Sequence, residues 1–213
     1  MTKPMGLTKP VILATLFVGM TAFTWISGCG YISISGPKNT TQTYDGIVNG
    51  DHRIFVSSTM TTGDLGGFTG ADRFCTSLAR SAGLVRNYKA VLSGAGLSVR
   101  DRFSATGAVY IWGNGQLNRV VSRANKLWEA ANAPLESAIK FDESGNSISG
   151  AFLHTGTLGN GDPSTSGGYC VDWSSSAAVG NLVGFTGSVS ENWISQGAST
   201  CNNSLRIYCM SND

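Results

Sequence analysis

The chain has 213 residues, with 15 Lys and Arg against 13 Asp and Glu, and only 13% of its residues are charged. A formal net charge of +2 excludes bulk electrostatic attraction to nucleic acid or to an anionic surface. Two histidines leave too few imidazoles for a histidine-rich metal centre, and 28 glycines favour turns and short strands over long helices.

Lys3 and Lys9 make the first residues positive, and an uncharged, largely apolar run of 16 residues follows from Val11 to Ile26. A bilayer-spanning helix needs roughly 20 residues, so the run suits the hydrophobic region of an export signal better than a permanent anchor. It closes on Ile26-Ser27-Gly28-Cys29, which resembles the lipobox of bacterial lipoproteins, with Ile where Leu is usual. The resemblance implies a signal peptide over residues 1–28 and a lipidated Cys29. Two or more acyl chains would hold firmly, each buried methylene contributing about 0.8 kcal/mol. Without residues 1–28 the chain carries 13 basic and 13 acidic side chains. Residues 29–50 comprise the lipidated Cys29 and a Gly-, Ser-, Thr- and Asn-rich stretch that reads as a flexible tether.

The folded domain is expected over 51–213. Arg53 to Ser58 (RIFVSS) reads as a strand and Gly63 to Gly70 as a glycine-rich loop. Ala71 to Gly83 reads as the main helix, with Phe74, Cys75, Leu78, Ala79 and Ala82 on one face and Gly83 as its C-terminal cap. A short helical turn is expected over Ser98 to Phe103. Further strands are expected over Tyr88–Leu92, Ala108–Trp112, Leu117–Val121, Ile148–His154, Val179–Phe185 and Leu205–Met210. Helices early and strands late make an α+β pattern. Beyond Cys29, the four cysteines Cys75, Cys170, Cys201 and Cys209 suggest two disulfides in an exported chain, and three pairings are open.

Several strings then become recognisable: Ile54-Phe55-Val56-Ser57-Ser58, Gly66-Gly67-Phe68-Thr69-Gly70-Ala71-Asp72-Arg73-Phe74-Cys75, Phe152-Leu153-His154-Thr155-Gly156-Thr157, Tyr169-Cys170-Val171-Asp172-Trp173, and the closing Cys201-Asn202-Asn203-Ser204-Leu205-Arg206-Ile207-Tyr208-Cys209. Together they resemble the endostatin-like domain of spirochaetal surface lipoproteins, the leptospiral endostatin-like proteins, over residues 52–211. That resemblance implies a C-type lectin-like fold and a nested pairing, Cys75 with Cys209 and Cys170 with Cys201. It also implies a place on the outer membrane, exposed at the cell surface. The implied activity is non-catalytic binding of host laminin, fibronectin, plasminogen or the complement regulator factor H. The rival expectation is a structural envelope lipoprotein facing the periplasm with no host ligand.

The titratable residues fit no enzyme motif: HExxH, GxSxG, a P-loop and CxxC are all missing from the sequence. An enzyme would need His154 in a pocket near Asp162 or Asp172; His154 reads instead as a structural strand residue. His52 lies at the domain's edge. No cofactor or metal is expected, because one histidine cannot supply a zinc site. Asp142-Glu143-Ser144-Gly145-Asn146 lacks the glycine and the closing glutamate of a calcium loop, and reads as a surface turn.

Charge is uneven along the chain. Residues 73–126 hold nine basic side chains and one acid, whereas 127–172 hold six acids and one base. A polarised surface is therefore expected, with Arg100, Arg102, Arg119, Arg123 and Lys126 as a basic face for glycosaminoglycan or host protein. Trp128 is the tryptophan expected beside them in solvent, and Trp173 the one packed on a disulfide.

Overall fold

The structure is a computed structural model that describes residues 43–212. The expected signal peptide, Cys29 and the first part of the expected tether lie outside the described residues. The first described residues already pair, β1 (Thr43–Tyr44) with β2 (Ile47–Val48), around Asp45 and Gly46 at φ 55° and 79°. An Asp-Gly pair with both φ values positive is the chemistry of a two-residue hairpin. Ile47 is buried, and the Asp45 carboxylate accepts from the Val85 amide at 2.7 Å and the Tyr88 hydroxyl at 2.9 Å. Residues 43–48, expected within the tether, are thus part of the folded domain.

The strand β3 (His52–Val56) is buried along its whole length. Successive side chains of a strand point to opposite faces. Ile54 and Val56 accordingly enter one apolar cluster, and Phe55 the other. His52 is buried as well, its Nδ1 3.0 Å from the Ser211 carbonyl, rather than at the domain's edge. A five-stranded sheet in the order β4-β10-β3-β5-β6 forms around this strand, with β4 (Tyr88–Ala90), β5 (Val109–Gly113), β6 (Gln116–Val121) and β10 (Tyr208–Ser211). Only β3 and β5 run parallel. Tyr208 and Met210 share a cluster with Ile54, whereas Ile207 and Cys209 share one with Phe55. The same alternation therefore splits β10 between the two cores.

The main helix, α1 (Gly67–Ser81), begins four residues earlier than expected, because Gly66 in a left-handed conformation turns the chain directly into it. Gly70 belongs to its first turn, where an added Cβ would collide with the Leu65 carbonyl oxygen. Ala71, Cys75 and Ala79 form its buried stripe; Phe74, Leu78 and Ala82 are only half-buried. Gly83 at φ 78° ends the helix as expected, with its N–H donating to Arg80 O and that of Leu84 to Ala79 O.

α1 also closes the edge of the sheet. Thr76 Oγ1 accepts from Tyr88 N–H and donates to Tyr88 O, and Asp72 Oδ1 accepts from Ala90 N–H at 2.9 Å. These contacts satisfy an edge that would otherwise invite another strand. The short helix α2 (Val99–Arg102) starts at Ser98, whose hydroxyl accepts from the Arg100 amide.

A second, antiparallel sheet contains β7 (Phe152–His154), β8 (Gly180–Phe185) and β9 (Gly197–Thr200). The strand expected from Ile148 forms only from Phe152, because Gly150 at φ 75° turns the chain first. The strand expected from Leu205 starts at Tyr208; Leu205 and Arg206 make isolated bridges to Thr61 and Leu153.

The described residues thus form a mixed α+β domain with few helices and two disulfides, Cys75–Cys209 and Cys170–Cys201. This is the nested pairing that the resemblance implied. The first joins α1 to the last strand across 134 residues, and the second closes a span of 31.

Candidate functional site

His154, at the end of β7, is fully buried. Its Nε2 lies 3.2 Å from Thr61 O and 3.1 Å from Asn203 O, and its Nδ1 lies 3.3 Å from the Asn181 side chain. A neutral ring protonated at Nε2 serves both carbonyls. Desolvation by burial lowers the His154 pKa below its ordinary value, outweighing the bonds from Asn181, Asn203 and Thr61 that raise it. The ring packs edge-on against Trp173, 6.0 Å between centroids. These contacts tie β7 to residues 61 and 203.

Trp173 ends a turn, Cys170–Trp173, in which four consecutive residues have φ between 51° and 64°. Left-handed backbone costs roughly 1–2 kcal/mol per non-glycine residue, so the surroundings must hold it. The Cys170–Cys201 bridge anchors one end, Asp172 Oδ1 accepts from Ala95 N–H at 2.6 Å, and Trp173 Nε1–H donates to Ser93 O at 2.8 Å. Trp173 is fully buried in the same cluster as both disulfides.

The Asp142–Asn146 turn is likewise closed on itself. Asp142 accepts from the Ser144 amide, the Asn146 amide and Asn146 Nδ2, and the Glu143 carboxylate accepts from Ser58 N–H at 3.1 Å and from its hydroxyl. Ser144 and Asn146 are exposed, so the turn lies at the surface as expected, although Asp142 and Glu143 at its start are buried. Among the described residues, no three His, Cys, Asp or Glu side chains gather closely enough to hold a metal ion.

The expected basic face is dispersed. Arg102 is buried; its Nη2 donates to Asp72, and its guanidinium lies 4.2 Å over the Phe68 ring. Desolvation lowers its pKa, and the Asp72 charge opposes that shift. Arg100 pairs with Asp162 and Arg119 with Glu136 at 2.7 Å, while Lys126 stands 4.0 Å from Glu129. Acids from the 127–172 stretch thus pair with three of the nine bases from the 73–126 stretch, which offsets part of the charge separation expected from the linear count. Arg123 remains exposed at the start of the 3-10 turn Ala124–Glu129. Trp128 is half-buried, 5.8 Å from Trp193, and shares with Arg100 a small cavity of about 140 Å³.

Two cations, Arg73 and Arg80, stay without an acidic partner among the described residues. Arg73 and Arg80, on the outer side of α1, line an open groove of about 620 Å³ that runs between the helix and β4, with Thr76, Ser77, Asn87 and Lys89 also in its walls. The spacing offered a signal that linear charge counting misses: residues 73 and 80 are two turns apart, hence on one face of a helix and about 10 Å apart along its axis. A second surface feature is Phe152, 48% exposed, whose ring stands 5.2 Å from that of Phe185 beside Asn192 and Gln196.

In comparison with known proteins, the chain matches no protein-family model, and no curated protein aligns with it significantly.

Proposed function

We propose that the chain is an exported lipoprotein, anchored through Cys29 to the outer membrane and displayed at the cell surface. Its endostatin-like, C-type lectin-like domain binds host extracellular-matrix proteins, plasminogen or complement regulators without catalysis. The observation that carries this reading is the nested disulfide pair, which ties α1 to the final strand and braces the left-handed turn inside the loop it encloses. Such bridges belong to oxidising compartments. They hold a rigid framework, on which surface side chains such as Phe152 can recognise a partner with little loss of conformational freedom.

Intact cells treated with protease, followed by binding of the purified full chain in detergent micelles to laminin, fibronectin, plasminogen and factor H, test the two halves of the proposal. Cleavage on intact cells and saturable binding to at least one of these proteins are the expected results. A copy that resists protease until the envelope is opened, with no binding to the panel, would instead mark a structural lipoprotein facing the periplasm.

A further inference from the structure

We infer that the groove beside Phe152 and Phe185 binds an extended, uncharged, proline-containing segment of a partner protein. This deepens the surface-binding reading, on which it rests, by naming a site and the kind of segment that enters it. Phe152 and Phe185 face each other across β7 and β8, and at the neighbouring pair Thr186 N–H donates to Ala151 O. The two phenylalanines are therefore the pair without mutual backbone hydrogen bonds, where facing side chains approach most closely. Their rings stand 5.2 Å apart at an angle of 56°, and Phe152 is 48% exposed.

The other wall is equally fixed. Gly184 on β8 leaves no room for a side chain, since an added Cβ would run into the Trp193 carbonyl oxygen, so the turn Glu191–Trp193 lies directly against the strand. Trp193 and Ile194 are fully buried, the Ser190 hydroxyl accepts from Asn192 N–H, and Gln196 N–H donates to Val183 O at 2.7 Å. This backbone carries the Asn192 and Gln196 side chains into the wall of a groove of about 410 Å³, within the range of ligand sites. Neither side-chain amide has a protein partner among the described residues.

The lining selects the occupant. Its side chains, Phe152, Phe185, Ser188, Asn192 and Gln196, carry no charge, and the Glu191 carboxylate lies against Gly159. A charged occupant would lose hydration there without meeting a counter-charge, so the groove is complementary to an uncharged one. Rings tilted by 56° give no flat platform for the face of a sugar, but they present an edge and a face to a compact apolar ring. An acyl chain would leave both amides unsatisfied. Leu153 already bridges Arg206, so β7 has no free edge beside the groove for an added strand. A polyproline-type segment meets all of these conditions: it has apolar rings, no charge, and carbonyls that make no internal hydrogen bonds and can accept from the two amides.

Labelled decaproline is the probe, followed by fluorescence anisotropy on the full chain in phosphatidylcholine nanodiscs. A Gly-Ser decapeptide, maltoheptaose and polyglutamate serve as competitors. Decaproline should bind saturably, with little change from low to high salt because no charge pairs are involved, and none of the competitors should displace it. F152S should weaken binding at least about tenfold. N192A/Q196A, which keeps the ring pair, should fall between F152S and the parent. M60S, which truncates an exposed apolar side chain outside the groove, should bind like the parent.

No decaproline binding by the parent, or an unchanged affinity in both F152S and N192A/Q196A, would overturn the assignment. Displacement by maltoheptaose or polyglutamate would also overturn it, in favour of a sugar or an acidic segment. Laminin or fibronectin binding by a parent chain with no affinity for decaproline removes this inference and leaves the surface-binding reading standing. Phe152-dependent decaproline binding by a chain that takes none of the host proteins supports the groove and counts against those ligands.

Discussion

The Arg102 guanidinium donates to the Asp72 carboxylate at 2.5 Å, joining α2 to the inner edge of α1. Asp72 in turn accepts from the Ala90 amide of the edge strand, so one carboxylate serves a helix, a second helix and a sheet. Arg102 is therefore a framework residue. Arg102→Ser would leave a partly buried carboxylate without its cation, and breaking a buried pair costs several kcal/mol. Asp72 retains 29% exposure, which lowers the expected loss to about 2 kcal/mol. The thermal midpoint should drop by roughly 4–8 °C for a domain of this size. Arg119→Ser, at an exposed pair, should leave the midpoint unchanged, and parallel calorimetry of both variants checks the contrast.

The two disulfides should not be equivalent. In the chain-entropy account, stabilisation grows with the logarithm of the closed loop. A separation of 134 residues gives roughly 5 kcal/mol and one of 31 roughly 4 kcal/mol. Denaturant unfolding of C75A/C209A and C170A/C201A should show the larger fall in stability for the first pair. The second pair also restrains the left-handed turn, so its removal should additionally free the Trp173 ring, seen as a loss of near-ultraviolet circular dichroism.

How far the fold was legible in the sequence depended on which signal each element rested on. Strand β3 and helix α1 were recoverable because side-chain alternation and a 3.6-residue period are local and strong. The start of α1 was obscured because Gly66, Gly67 and Gly70 look like a loop, whereas here they permit a left-handed turn and a close approach to Leu65. The hairpin at 43–48 was hidden by a composition that suits a tether, although the Asp45-Gly46 pair announced its turn. Neither disulfide partner could be assigned from spacing; the resemblance implied the pairing. The charged surface was least legible, because pairing such as Arg100 with Asp162 joins residues 62 apart, and no linear count contains it.

Gly70 gives a sharper test of the helix start. A Cβ at that position would run into the Leu65 carbonyl oxygen and carbon, both backbone atoms that cannot swing aside as a flexible side chain would. Alanine normally favours a helix over glycine by about 1 kcal/mol. At this site the sign should reverse. Gly70→Ala should destabilise the domain by at least about 2 kcal/mol, within the range for overpacking, whereas Gly83→Ala, which meets no atom but keeps φ at 78°, should cost about 1 kcal/mol. Urea midpoints for the two variants check the order.

His154 should make stability depend on pH in one direction. Its pKa in the folded domain is lowered from 6.5, chiefly because burial disfavours the charged ring. The unfolded chain therefore binds more protons as pH falls through 6.5, and protonation draws the equilibrium toward it. The contribution from neutral His154 is fully present above pH 6.5. It is lost progressively as pH falls below 6.5 toward the folded-state value. His154→Gln, which keeps an amide hydrogen-bonding group but cannot titrate, should lower stability at pH 7.5 through lost ring packing on Trp173 and yet flatten the slope between pH 7 and 5. His52 also sits in the fold, so the decisive quantity is the difference between the two pH profiles of the thermal midpoint. A variant profile parallel to that of the parent would show that His154 is protonated as readily in the folded domain as in the unfolded chain.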